Sequence, residues 1–303
     1  MLLDTKLPVR YIFRRILPDI LRVLLISFFF EALKIYFGEY LPPIPLQLAA
    51  ILGSSISLLL AFKISQSYDR WWEARRLWGA IVNDSRTLVF QVRSFVAEEV
   101  LQRPAPDNPL LAVAHRQMAW CYSLGQALRG RDALAGLERF LPADELTYAR
   151  SQTNKPLALL SLHNHQVRTL RQDGAINTLE HLQLDSTLVR LIDSMGACER
   201  IKNTVFPTSY RLLVYFLIYL FLATLSLGLV ETIGWWEVPV LLAIACSFFL
   251  LERTARYLQD PFNDKPTDTP VTAIARTVEI NLKQLLEQDN VPKPLVADKF
   301  YLM

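Results

Sequence analysis

The sequence predicts an all-α integral membrane protein with four transmembrane helices and a large helical cytoplasmic domain. Three observations carry this expectation. Hydrophobic residues make up 52% of the 303 residues and mean hydropathy is positive, which is unusual for a soluble chain. Charged residues nevertheless reach 20%, with a net charge of +3, so apolar and charged residues must be segregated along the chain. Finally, Leu212 to Val230 is a charge-free run close to the roughly 20 residues that cross a bilayer core.

At the N-terminus, Arg10, Arg14 and Arg15 precede a segment long enough to remain in the bilayer, so the first span is expected to act as its own insertion signal, without a cleavable leader. That span, Ile20 to Phe37, surrounds the apolar stretch Val23 to Phe30 with Arg22, Glu31 and Lys34. The second runs from Ile44 to about Phe62, the third is the charge-free run, and the fourth is Val238 to Leu251. The fourth is short, but Trp235 and Trp236 stand before it where interfacial aromatics belong, so its helix is expected to begin near them. The resulting division is 1–62 with the first two spans, 63–211 as the cytoplasmic helical domain, 212–251 with the last two spans, and 252–303 as a cytoplasmic tail.

The connections Gly38 to Pro43 and Glu231 to Glu237 contain no Lys or Arg, whereas the N-terminus, middle segment and tail hold nearly all of them. The positive-inside rule then places both termini in the cytoplasm, at the inner membrane of a cell. Residues 63–211 are rich in Leu, Ala, Arg, Gln and Glu, which favours helix. Within Ala175 to Met195, the residues Leu179, Leu182, Val189 and Ile192 share roughly one face, with Glu180, Gln183 and Arg190 elsewhere around it. Loops are expected at Arg103 to Pro109, Leu141 to Ala143 and Lys155 to Pro156.

The second span enters the cytoplasmic domain without a break, so one helix is expected to pass from membrane to cytosol. Ser54, Leu58 and Phe62 lie four residues apart and form one stripe, small and polar at one end and bulky at the other. Several copies of that stripe around an axis would line a pore with a hydrophobic constriction. Spacing alone favours the alternative, that the serines permit close helix packing. Next comes Ser67 to Trp78, a dense alternation of aromatic and charged residues, which composition explains as an interface belt.

Its order goes further. Arg70-Trp71-Trp72 followed by Glu73-Ala74-Arg75-Arg76-Leu77-Trp78-Gly79 resembles the signature of the bestrophin family and its bacterial continuation. Cys198-Glu199-Arg200-Ile201 with Asn203-Thr204, Asp260-Pro261-Phe262, and Arg276 to Asn281 are similar to further family motifs in the same order. The resemblance implies a homopentameric ion channel with a central pore. Its neck positions would be Ser54, Leu58 and Phe62, where Ser54 departs from the usual large apolar residue, so tight closure is expected at Leu58 and Phe62. A second, cytoplasmic restriction would lie between Asn203 and Pro207, with Phe206 preferred and Thr204 the alternative. Animal members conduct anions and bacterial ones are associated with monovalent cations, so cation conduction is the expectation.

Animal bestrophins also carry an acidic calcium clasp after Pro-Phe-Gly. In the corresponding run, Asn263 to Asp268, only Asp264 and Asp268 are acidic, and calcium takes six to eight oxygens, so no tight site is expected. Cys121, Cys198 and Cys246 show no ligand spacing and read as small hydrophobes. His115, His163, His165 and His181 read as surface or packed residues. No catalytic motif, cofactor loop or metal cluster is visible, so neither an enzyme nor a cofactor is expected, and a secondary transporter lacks its usual repeats. Basic pairs at Arg14 to Arg15 and Arg75 to Arg76 lie at predicted membrane edges, so membrane lipids, permeating ions and other copies of the chain are the expected partners, and nucleic acid is not.

Overall fold

The computed structural model describes residues 9–37, 40, 44–104, 106–204, 207–297 and 301, with side chains from Ile16 onward. The described residues form helices α1 (Val9–Phe37), α2 (Leu46–Phe95), α3 (Glu98–Leu101), α4 (Pro109–Leu128), α5 (Ala143–Ser151), α6 (Lys155–Gln172), α7 (Thr178–Asn203), α8 (Thr208–Ile233), α9 (Glu237–Gln259) and α10 (Val271–Leu285). Two helical stretches, Leu46–Phe95 and Thr208–Gln259, are long and apolar enough to cross a membrane, and the second takes in α8, a short 3-10 turn and α9. That turn is Gly234–Trp236, so Trp235 and Trp236 stand just ahead of α9 as expected.

The chain divides into two compact units. One gathers the described residues of 4–71 and 205–260, the other those of 72–204 and 261–303. Helix α2 contributes residues to both and runs unbroken through 50 residues. Its few interior glycines, Gly53 and Gly79, are tolerated without a kink-forming proline.

In the first unit α1 packs on α8 and α9. Its core joins Val23 of α1, Ile56 and Leu60 of α2, Ile218 and Leu222 of α8, and Leu241 and Phe249 of α9. Polar groups are buried among them. Lys63 and Glu252 form an ion pair of 3.0 Å with both side chains 1% exposed. Tyr215 donates a 2.8 Å hydrogen bond to the same carboxylate, and Arg256 lies 2.8 Å from it. Elsewhere Ser27 and Ser226 both donate to the buried carboxylate of Glu237.

The second unit is built on α2 from Trp78 onward, α4, α6, α7 and α10, with Trp120, Leu124, Leu160, Leu188 and Val278 in one core. Asparagine side chains cap the starts of α4, α6 and α7. Asn108 caps α4 by accepting from the amides of Leu110 and Leu111, and Asn177 and Glu180 form a reciprocal capping box on α7. The Lys155-Pro156 loop expectation is corrected in the same way. Asn154 accepts from the Leu157 amide and Pro156 occupies the first turn of α6, where its missing N–H costs nothing.

The expected helix over this segment is α7 (Thr178–Asn203). Its buried face is Leu184, Leu188, Leu191, Met195 and Cys198, whereas Leu179, Leu182, Val189 and Ile192 are exposed. The helix carries two apolar stripes, and a single chain can bury only one of them. Phe90 is also 52% exposed on α2. Cys121 and Cys198 are buried as read, and Cys246 is partly so.

Candidate functional site

The stripe Ser54, Leu58, Phe62 lies on one exposed face of α2. Leu58 and Phe62 are each 60% exposed, although both are large and apolar. The buried face of the same stretch is Ile56, Leu60, Lys63 and Ser67. The serine hydroxyl of Ser54 donates back to the Ala50 carbonyl at 2.9 Å, and those of Ser55 and Ser57 do likewise one turn back, so these side chains satisfy themselves and need no partner helix.

What holds that face outward is the ion pair beside it. Successive helical residues are about 100° apart, so fixing Lys63 against Glu252 fixes where Phe62 points. Lys63 was not singled out by the sequence reading. A lysine in an apolar run, matched by Glu252 at the end of another, was the available signal.

The motif residues are brought together. Arg70 Nε donates to the Gln259 carbonyl at 3.0 Å, satisfying one of the open carbonyls at the end of α9. Trp71 packs near Tyr68 with ring centroids 6.0 Å apart, and Trp72 is half-exposed. Glu73 pairs with Arg200 at 2.9 Å, joining the tryptophan motif to the Cys-Glu-Arg-Ile motif of α7. Arg86 donates to Asn281 Oδ1 at 2.5 and 3.1 Å, which ties α2 to the Arg276 to Asn281 motif. Phe262 is buried.

Of the proposed cytoplasmic restriction, Thr204 caps α7, its amide 2.9 Å and its hydroxyl 2.7 Å from the Arg200 carbonyl, and its side chain is exposed. Phe206 lies outside the described residues. The described side chains also exclude Arg14 and Arg15.

The acidic turn 263–268 faces arginines. Asp264, at a φ of 63°, pairs with Arg131 and lies 3.7 Å from Arg129. Asp268 is fully buried and accepts from the Lys265 amide at 3.1 Å. Burial pushes its carboxyl up to about 6, against the pull of the backbone amides and of Lys265 and Arg129. Burial likewise raises the Cys121 thiol to about 12 and keeps His163, already beside Arg116, neutral. None of these groups forms a nucleophile and base pair. Among the described residues no group of three or more His, Cys, Asp or Glu gathers around a metal-sized space.

Comparison with known proteins agrees with the motif contacts. The family model described as Bacterial/Fungal Bestrophin protein matches residues 9–284. A protein of Mesorhizobium japonicum, named voltage-dependent anion channel-forming protein mll4386, is 31% identical over 288 residues, covering 95% of this chain and 90% of its own. The voltage-dependent anion channel-forming protein YneE of Escherichia coli K12 is 26% identical over 252 residues, 83% of this chain and 80% of its own. Among solved structures, a point mutant of a bacterial bestrophin homologue from Klebsiella pneumoniae superposes with a TM-score of 0.82 at 28% identity, covering 90% of this chain and 100% of that one. These relatives are named as channels and not as enzymes. With its helices, its contacting motifs and a family model spanning nearly its whole length in agreement, this chain belongs to the bestrophin family of membrane ion channels.

Proposed function

We propose that five copies of this chain surround one axis, that α2 of each lines a central pore with a neck at Ser54, Leu58 and Phe62, and that anions carry the current. The observation that carries the reading is the outward stripe itself. Two large apolar side chains, each 60% exposed and separated by one helical turn, point away from the chain's own core, and neither offers a passing ion a polar partner. A narrow ring of such side chains holds back hydrated ions by dewetting. One stripe per chain cannot enclose a pore, so several copies are required, and the family resemblance sets the number at five. In this arrangement α1, α2, α8 and α9 are the four spans, both ends of the chain are cytoplasmic, and the inner membrane supplies lipid to the outer faces.

The second narrow place follows Thr204, with Phe206 as the preferred residue. Anions are favoured here because the relatives' names describe anion channel-forming proteins. The cation preference expected from bacterial members finds no support in those names. The test is a reversal potential in planar bilayers under a sodium chloride gradient. A reversal near the chloride equilibrium potential is expected, and one near the sodium potential overturns the anion assignment.

A further inference from the structure

We propose that a small cavity between the end of α4, the start of α10 and the turn before it binds a small inorganic oxyanion that carries a hydroxyl, of the hydrogencarbonate class. The cavity measures about 90 Å³ and is lined by Tyr122, Gln126, Arg129, Arg131, Val271 and Thr272 among others. All of these belong to one compact unit. About 10–15 Å³ of such space admits a single water, so the cavity has room for one small polyatomic ion.

Arg129 is the anchor. Its side chain is 3% exposed, and Nη1 donates to the Thr272 hydroxyl at 2.6 Å. Nε lies 3.7 Å from Asp264, beyond hydrogen-bond reach, and Nε and Nη2 have no hydrogen-bond partner. A buried guanidinium with two unmade bonds is costly unless something accepts them. Burial and the neighbouring Arg131 together hold Arg129 down at about 10, the mark of a charge short of compensation.

Local charge asks for an anion. Around the turn, the guanidinium groups of Arg129 and Arg131 share one carboxylate, that of Asp264. Glu279, which accepts from Tyr122, already has three basic partners of its own.

One further group selects among anions. Gln126 donates through Nε2 to the Ala135 carbonyl at 3.1 Å, which fixes the amide orientation, and its Oε1 is buried without a partner. The cavity wall therefore offers donors from arginine and one acceptor from glutamine. Chloride cannot use the acceptor, whereas an oxyanion bearing O–H accepts from Arg129 and Arg131 and donates to Gln126.

The test uses the full-length protein in detergent, following thermal unfolding at pH 7.5 with sodium hydrogencarbonate, sodium formate or sodium chloride at constant ionic strength. Hydrogencarbonate is expected to raise Tm with saturation, and chloride is not. Arg129→Gln should weaken the apparent affinity by about tenfold or more, as loss of charge-assisted bonds does. Gln126→Leu should weaken hydrogencarbonate while leaving formate, which has no hydroxyl, unchanged. Should Arg129→Gln not fold, Arg131→Gln on the half-exposed side of the cavity is expected to show the same direction of loss. Equal responses to chloride and hydrogencarbonate, or an undiminished response in the folded arginine variant, mean ordered water only and overturn the proposal.

Discussion

Phe62 and Lys63 are neighbours with opposite surroundings, the first 60% exposed and the second 2%. Removing the phenyl ring should widen a neck and leave the buried face alone, so Phe62→Ala is expected to raise unitary current or open probability in single-channel recordings. Phe90→Ala, which trims an exposed ring in the other unit, should change neither, and an unchanged Phe62→Ala channel would move the gate toward Phe206. Lys63 has the opposite profile. Lys63→Ala strands Glu252 with only Arg256 and Tyr215, and breaking a buried pair costs about 3–5 kcal/mol. The double change Lys63→Met with Glu252→Gln should recover much of the loss in thermal unfolding, since it removes both charges together. Asp268 contributes through protonation. Burial holds its folded value at about 6, above the ordinary carboxylate range, so the fold favours the protonated form. Stability linked to this group is therefore complete below pH 4, is lost as pH rises from about 4 to 6, and stays lost above. Asp268→Asn should stabilise the protein at pH 7.5 by roughly 1–3 kcal/mol and have little effect at pH 4, readable as a pH-dependent difference in Tm.

Elements follow different rules from residues. The continuity of α2 was legible because nothing in Leu46–Phe95 breaks a helix, and the caps of α4 and α7 were written as Asn-Pro and Asn-x-x-Glu. The buried face of α7 was not legible. Periodicity finds apolar stripes, and α7 has two, so only the positions of α2, α4 and α6 decide which stripe becomes core. The start of α6 was misread because Pro marks both a loop and a first helical turn, and Asn154 resolves the two only once its side chain is seen to cap. The long-range ion pair of Lys63 with Glu252, 189 positions apart, shows in the sequence only as one charge at the end of each of two apolar runs, with nothing local to say that they meet. For the turn 263–268, the carboxylates of Asp264 and Asp268 are held near guanidinium groups and a backbone amide, an environment hostile to a dication. Adding or chelating calcium on the cytoplasmic side should leave the current unchanged, and steep activation at submicromolar calcium would show that another chain completes a site there.

At the scale of the whole molecule, the proposed assembly would turn the exposed stripe of α2 toward a shared axis and could cover the exposed stripe of α7. Mass measurement in detergent is expected to give five copies, whereas a monomer or dimer that still conducts would refute the shared axis. The adjacency of Phe62 to Lys63 has a last consequence, for inheritance. Along this stretch the helix tolerates exchange of one apolar side chain for another, but its length is fixed. One residue inserted between Leu58 and Phe62 turns everything after it by about 100°, swinging the lysine out of its pocket or the stripe off its line. A library of single-residue insertions should therefore be purged between Ser54 and Lys63 while persisting in the loop between Arg103 and Asn108, so that drift in this lineage proceeds by substitution and never by indel where the helix turns its two faces.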